Sequence, residues 1–138
     1  MKISGAITAL ATPMKVDGSL DFLSLEKLIE FQISEGINAL VAVGTTGESA
    51  TVDVKEHLEI IDFFIKISNG RVPIIAGTGA NSTKEAIELT EEARVLGADA
   101  ALLVSPYYNK PTQEGLFQHY KSINDKVGIQ IIIYNIPP

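Results

Sequence analysis

The chain has 138 residues, of which 46% are hydrophobic and 20% charged, a composition typical of a globular domain with a sizeable core. Its net charge of -6 argues against a nucleic-acid partner, because phosphate binding requires clustered lysine and arginine. The absence of cysteine excludes disulfides, a thiol nucleophile and cysteine-ligated zinc. Since no secretion signal or membrane-length apolar run is present, we expect a cytoplasmic protein without membrane association.

Five short apolar runs are predicted β-strands. They begin near Gly5, Asn38, Val72, Ala98 and Ile129. The spacing of roughly 26 to 34 residues suits strand-helix-strand units. The runs are apolar at consecutive positions, which predicts parallel strands covered on both faces.

The segments between these runs are predicted amphipathic helices. Ser82 and Asp53 are each followed three residues later by glutamate, the spacing that caps a helix start. Gly36, Gly70 and Gly97 mark predicted helix ends. Apolar side chains recur at helical spacing in two of these segments, at Phe22, Leu25, Ile29 and Ile33 and at Ala86, Leu89, Ala93 and Leu96.

Right-handed crossovers between parallel strands leave two α/β architectures, an open doubly wound sheet or a closed (β/α)8 TIM barrel. Periodicity alone does not separate them. The glycine-rich segment at 44–47 lacks the lysine of a P-loop, and the one at 77–81 lacks the third glycine of a dinucleotide-binding loop. The barrel is therefore favoured.

A complete barrel of this type needs about 250 residues. We therefore expect residues 1–138 to be the N-terminal part of a single TIM-barrel domain, comprising four βα units and a fifth strand. The chain stops at Pro137 and Pro138, directly after that strand. We interpret it as truncated.

Hydroxyl side chains follow three of the apolar runs. Thr45 and Thr46 lie in the glycine-bracketed stretch 44–49, Tyr107 and Tyr108 follow the fourth run, and Tyr134 ends the fifth. Loops at the carboxyl ends of parallel strands converge. The pattern predicts an assembled polar site for a small anion.

Four segments, 44–49, 77–81, 106–111 and 134–137, resemble the dihydrodipicolinate synthase family of pyruvate-dependent class I aldolases. The resemblance runs from the first strand to the last residue and implies a TIM barrel. It also implies that pyruvate, bound as a lysine Schiff base, condenses with aspartate semialdehyde in lysine (diaminopimelate) biosynthesis. The tyrosine pair followed by Asn-Lys-Pro favours the synthase within the broader aldolase family.

The resemblance assigns proton relay to Thr45, Tyr108 and Tyr134, with Tyr108 entering the site of a neighbouring subunit. Thr46 matches the residue that holds the pyruvate carboxylate. Hydroxyl groups both donate and accept hydrogen bonds, so they move a proton without leaving a charge in a dry site. The resemblance also implies a homotetramer, assembled as a dimer of dimers.

The Schiff-base lysine is expected outside this chain. None of the nine lysines lies inside an apolar strand, and the family's lysine follows Tyr134 by about one repeat of ~30 residues. We therefore expect the 138-residue chain alone to be inactive, and no cofactor beyond the covalent pyruvate adduct. No metal is implied, since His57 and His119 lie far apart without a ligand cluster.

The resemblance also implies an inhibitory site for lysine at a subunit interface. Val54 stands where some members have histidine, which bears on the strength of inhibition. The matching positions are Ser49, Ala50, His57, Asn81, Glu85 and Tyr107.

Two alternatives remain open. One is another pyruvate aldolase, such as N-acetylneuraminate lyase or a keto-deoxy sugar acid aldolase. The other, from a different class, is a catalytically silent half-barrel that serves in assembly or binds an effector.

Overall fold

A computed structural model describes residues 3–136 of the chain. Pro137, the last residue of the fourth motif, and the chain end at Pro138 lie outside the described residues, as do Met1 and Lys2. The strands are β1 (Ile7–Ala9), β2 (Ala39–Ala42), β3 (Ile74–Gly77), β4 (Ala100–Val104) and β5 (Gln130–Tyr134). The helices are α1 (Phe22–Ser34), α2 (Val54–Ser68), α3 (Thr83–Leu96) and α4 (Gln113–Val127).

The five strands form one parallel sheet in the order β1-β2-β3-β4-β5. A helix joins each strand to the next from β1 through β5. A doubly wound sheet reverses its strand order at a switch point, whereas a barrel adds each new strand beside the last. The uninterrupted order confirms the α/β prediction and has the topology of a TIM barrel.

Local capping chemistry sets the helix starts. The side chains of Asp53 and Ser82 accept hydrogen bonds from the N–H groups of Glu56 and Glu85, as predicted. Asp21 and Thr112 cap α1 and α4 in the same way. Each cap satisfies a backbone donor that has no partner within its own helix.

The main core lies between the sheet and the helices, where Ile29, Leu40, Ile60, Ile61 and Phe64 are essentially fully buried. A smaller cluster on the opposite face of the sheet contains Ala39, Val41, Ile75 and Ala100. Every residue of β2 and β3 is buried, which confirms for these strands the prediction of two covered faces.

That prediction is wrong for the two outer strands. Ile7 in β1 and Ile133 in β5 are exposed, and most residues of both strands share this exposure. β1 and β5 are the outermost strands of the described sheet, so side chains of neighbouring strands and helices shield each of them from one side only. In the part of the chain that the structure describes, no helix has both the length and the apolar character needed to cross a bilayer.

Candidate active site and a second cavity

The loops at the carboxyl ends of the strands are tied to one another. The side-chain oxygen of Asn81, after β3, accepts a 3.0 Å hydrogen bond from the N–H of Tyr107, after β4. The N–H of Ser105 donates to the carbonyl of Tyr134 at the end of β5. These bonds join three neighbouring strand ends into one surface.

The hydroxyl loop, residues 44–49, begins with a 3-10 turn at Thr45–Gly47. Its internal bonds run from the N–H of Gly47 and of Ser49 to the carbonyl of Gly44. In a helical turn the first N–H groups have no partner inside the turn. Those of Thr45 and Thr46, together with their hydroxyls, therefore suit an anion such as a carboxylate.

Two residues that flank this turn adopt left-handed backbone conformations. Val43 has a φ of 46° and is fully buried, and Glu48 has a φ of 61°. A β-branched residue rarely occupies this region, because its side chain crowds the backbone. Such conformations persist where surrounding packing imposes them, and they cluster at functional sites.

Gly77 lets β3 approach the strained turn closely. A Cβ atom at this position would lie 2.6 Å from the carbonyl oxygen of Val43 and 2.8 Å from the Cα of Gly44. Neither atom belongs to a flexible side chain. Only glycine fits here without displacing the start of the hydroxyl loop.

Thr45 and Tyr134 line the same small pocket, which we call the loop pocket. This pocket joins the carboxyl ends of the central strands to the end of β5. Its walls are Val43, Gly44, Thr45, Ser49, Gly77, Gly79, Leu102, Val104 and Tyr134. The structure therefore brings together two of the three predicted proton-relay residues.

The other two predicted catalytic and substrate-binding residues lie outside the walls of the loop pocket. Thr46 is exposed in the same 3-10 turn as Thr45. Tyr108 is 89% exposed in the loop that follows β4. Its phenol is available to another molecule rather than to the pocket of its own chain.

A hydroxyl network supports the segment that carries Tyr134. Ser105 Oγ donates to Asn135 Oδ1 at 3.0 Å and lies 2.8 Å from Tyr120 Oη, which is then the donor to Ser105. Partial burial raises the pKa of the Tyr120 phenol, opposed by its bond to Ser105. This phenol therefore stays protonated and orients the Ser105 hydroxyl, which in turn holds Asn135 beside the end of β4.

A second cavity of about 520 Å³ lies beside the loop pocket, and we call it the large cavity. Thr45 and Val54 are among its walls. All six residues predicted to bind lysine also line it: Ser49, Ala50, His57, Asn81, Glu85 and Tyr107. The remaining walls are Val52, Gly79, Ala80, Leu89, Val104 and Ile136.

His57 is a buried wall of the large cavity. Its Nε2 lies 2.6 Å from the carbonyl oxygen of Gly77. Because a carbonyl can only accept, Nε2 carries the proton. Burial lowers the pKa of this imidazole, while its bond to Gly77 and the charge of Glu85 act in the opposite direction. His57 is therefore neutral at pH 7.

No buried amine is available in residues 3–136. Each of the eight lysines in this range is exposed, on a helix surface or in a loop. A Schiff-base lysine needs a lowered pKa, which burial or a cationic neighbour provides. Within the described range, no three His, Asp or Glu side chains gather as metal ligands would.

Sequence reasoning missed Thr12. This residue is 5% exposed, and its Oγ1 donates a 2.7 Å hydrogen bond to the carbonyl of Gly47 in the hydroxyl loop. A signal was present, because Thr12 follows the first apolar run as Thr45 follows the second.

The sequence profile of the dihydrodipicolinate synthetase family matches residues 2–138. The chain belongs to this family. It is 59% identical over 136 residues to the 4-hydroxy-tetrahydrodipicolinate synthase of Psychrobacter sp. (strain PRwf-1), covering 99% of this chain and 45% of that protein. It is 61% identical over 135 residues to the synthase of Stutzerimonas stutzeri (strain A1501), covering 98% and 46%.

Solved members of the dihydrodipicolinate synthetase family share the fold closely. The chloride-inhibited dihydrodipicolinate synthase from Acinetobacter baumannii, complexed with pyruvate, superposes with a TM-score of 0.97 at 60% identity, covering 99% of this chain and 47% of that one. The enzyme from Cyanidioschyzon merolae with lysine bound gives a TM-score of 0.94 at 40% identity, covering 98% and 46%. The chain thus spans about half the length of the relatives it matches.

Proposed function

We propose that this chain supplies the first half of the active site of a 4-hydroxy-tetrahydrodipicolinate synthase. The reaction condenses pyruvate, held as a lysine Schiff base, with aspartate semialdehyde in cytoplasmic lysine biosynthesis. The observation that carries the proposal is the meeting of Thr45 and Tyr134 in one pocket at the carboxyl ends of β2 and β5. Family membership and the pyruvate complex of the Acinetobacter baumannii relative support it.

In this proposal the hydroxyls handle protons and bind the substrate. Forming an imine releases water, and forming the enamine removes a proton from the pyruvate methyl group. Tyr134 serves as general acid and base, and Thr45 passes protons between it and Tyr108 of a neighbouring subunit. Thr46 holds the carboxylate. No cofactor or metal is needed, since the imine itself withdraws the electrons.

The amine is assigned to sequence outside residues 1–138. The exposed lysines of the described residues are unsuited to form an imine at neutral pH. We therefore propose that residues 1–138 alone are inactive. The working enzyme is a single barrel domain completed by further sequence, assembled as a dimer of dimers.

Borohydride trapping with labelled pyruvate tests the assignment. We expect a stable adduct on the full-length protein, on a lysine beyond Tyr134, and none on a polypeptide of residues 1–138. An adduct on the shorter polypeptide would refute the location of the amine. Absence of an adduct on the full-length protein would refute the Schiff-base function and favour a catalytically silent role.

Acceptor assays separate the synthase from other pyruvate aldolases. Turnover of the full-length protein with pyruvate and aspartate semialdehyde is expected to exceed turnover with sugar aldehydes. The reverse order would assign it to the sugar-acid or N-acetylneuraminate aldolases. This comparison decides the acceptor without depending on the trapping result.

We also propose that the large cavity binds lysine as an inhibitor. Two observations support this role. The six residues that match the family's lysine site all line this cavity, and the relative from Cyanidioschyzon merolae was solved with lysine bound. Glu85 and the Asn81 side chain offer oxygen acceptors for an ammonium group. Calorimetric titration of the full-length protein with lysine tests it, and no heat together with no loss of rate would refute it.

A further inference from the structure

Thr12 connects the exit of β1 to the hydroxyl loop, 35 residues further along the chain. Its Oγ1 donates to the carbonyl oxygen of Gly47 at 2.7 Å, and the residue is only 5% exposed. A buried hydroxyl without a partner is costly, so this bond stabilises both the threonine and the carbonyl.

The hydroxyl loop depends on such an external contact. Val43 and Glu48, which bracket the 3-10 turn, both have left-handed backbone conformations. These conformations are unfavourable for residues with side chains, so local preference opposes the observed turn. A contact from outside the loop is needed to keep it in place.

The fit between Thr12 and the turn is tight. A Cβ atom on Gly47 would lie 3.0 Å from Thr12 Oγ1 and 3.1 Å from the carbonyl oxygen of Leu10. The turn thus rests directly on the segment that leaves β1. Since Gly47 follows Thr46, any shift of its carbonyl also moves the two threonines before it.

We propose that Thr12 is a positioning residue that holds the Thr45–Thr46–Gly47 turn in the geometry that binds a 2-oxo acid carboxylate. The inference rests on the proposed function and adds a residue to it. Thr12 touches the turn through Gly47 and does not line the loop pocket. It therefore acts on pyruvate affinity through the turn.

Two substitutions isolate the hydroxyl in the full-length protein. Thr12→Val keeps the shape and removes the donor, whereas Thr12→Ser keeps the donor. Ser68→Ala is the matched control, because Ser68 is buried and its Oγ donates to the carbonyl of Val72 just before β3, at the amino ends of the strands and away from the hydroxyl loop.

The readout is the pyruvate concentration that half-saturates borohydride trapping, measured beside the KM for the aldehyde. Thr12→Val should raise the half-saturating pyruvate concentration about tenfold and leave the aldehyde KM unchanged. Thr12→Ser should keep that pyruvate concentration within about twofold of the wild-type value. Ser68→Ala should lower thermal stability only. Unchanged pyruvate affinity in Thr12→Val, or an equal rise in both constants, would overturn the proposal.

A second variant covers the case in which Thr12→Val does not fold. Gly47→Ala keeps every hydroxyl but pushes the turn away from Thr12, and should weaken pyruvate binding with the same selectivity. Wild-type pyruvate affinity in Gly47→Ala would overturn the proposal.

Amide hydrogen exchange separates this proposal from the proposed function. The N–H groups of Glu48 and Ser49 bond within the loop, so Thr12→Val should speed their exchange and Ser68→Ala should not. If the wild-type protein forms no pyruvate adduct, the proposed function fails, yet this measurement still decides whether Thr12 holds the turn. Unchanged exchange in a folded Thr12→Val variant would overturn the inference.

Discussion

The Nε2 of His57 donates a 2.6 Å hydrogen bond to the carbonyl oxygen of Gly77, and this bond joins the two cavities. His57 lines the large cavity and Gly77 lines the loop pocket. Gly77 in turn lies against the backbone of Val43 and Gly44, where the hydroxyl loop begins. A displacement of the His57 side chain is therefore transmitted through Gly77 to the start of the hydroxyl loop.

The first prediction concerns pH and stability. Burial lowers the pKa of His57 and of His119 below 6.5 in the folded protein. The unfolded chain then binds protons that the folded chain does not, so this stability is complete above pH 6.5 and is lost as pH falls through the lowered values. Urea unfolding at pH 7.5 and 5.5 should show the decrease.

Glutamine variants identify the responsible groups. His57→Gln retains a donor for Gly77, does not titrate, and should reduce the difference between the two pH values. His119→Gln is the comparison, because that imidazole is also buried and its Nδ1 lies 2.8 Å from Thr83 Oγ1. An undiminished pH difference in the double variant would contradict the assignment to these histidines.

The second prediction concerns the close approach at Gly77. Gly77→Ala places a methyl group against the backbone of Val43 and Gly44, and should cost about 2–3 kcal/mol of unfolding free energy. It should also weaken pyruvate trapping, since the hydroxyl loop must move. Chemical denaturation and trapping of the full-length protein measure the two effects.

Gly128→Ala is the matched control for that change. Gly128 has a left-handed φ of 68° with no atom near its added Cβ, so alanine there should cost only about 1 kcal/mol of backbone strain. Pyruvate trapping should be unaffected. Equal losses of stability in the two variants would mean that the contact with Val43 is unimportant.

The third prediction tests the large cavity as a lysine site. Val54 is exposed at its wall, where histidine would add a hydrogen-bonding ring. Val54→His should tighten lysine binding by about threefold to tenfold, the usual worth of one added hydrogen bond. Isothermal titration calorimetry measures the change.

Val95→His controls for the added ring. Val95 is an exposed valine on α3 outside the walls of the cavity, so histidine there should leave lysine affinity unchanged. Equal affinities for the Val54→His and wild-type proteins would argue against contact between this position and the ligand.

The fourth prediction concerns Tyr108. Because its side chain is exposed, we expect it to act in the site of a neighbouring subunit. Thr45→Val and Tyr108→Phe should each be nearly inactive alone. Subunits of the two variants, mixed and reassembled at random, should recover about a quarter of the wild-type sites, since half the dimers are mixed and each carries one intact site.

Size-exclusion chromatography should show that both variants assemble as the wild-type protein does. If mixing restores no activity although mixed dimers form, Tyr108 acts within its own subunit or has no catalytic role. That result would not bear on the placement of Thr45 and Tyr134 in the same pocket.

Much of this protein follows from local sequence. The strand and helix alternation follows from the apolar spacing, and the starts of α2 and α3 follow from Asp53 and Ser82, because a cap involves residues only three positions apart. The four motifs also indicated the family that the profile match confirms. These features can be predicted from the sequence because each depends on residues that are close together along the chain.

Only the tertiary structure decided how distant segments meet. It placed Thr12 against Gly47, Thr45 beside Tyr134, and all six predicted lysine-site residues around one cavity. It also imposed a left-handed conformation on Val43, contrary to the preference of valine, through packing that its neighbours in sequence do not reveal. Such features depend on strand order and non-local contacts, whereas periodicity and capping report only on adjacent turns of the chain.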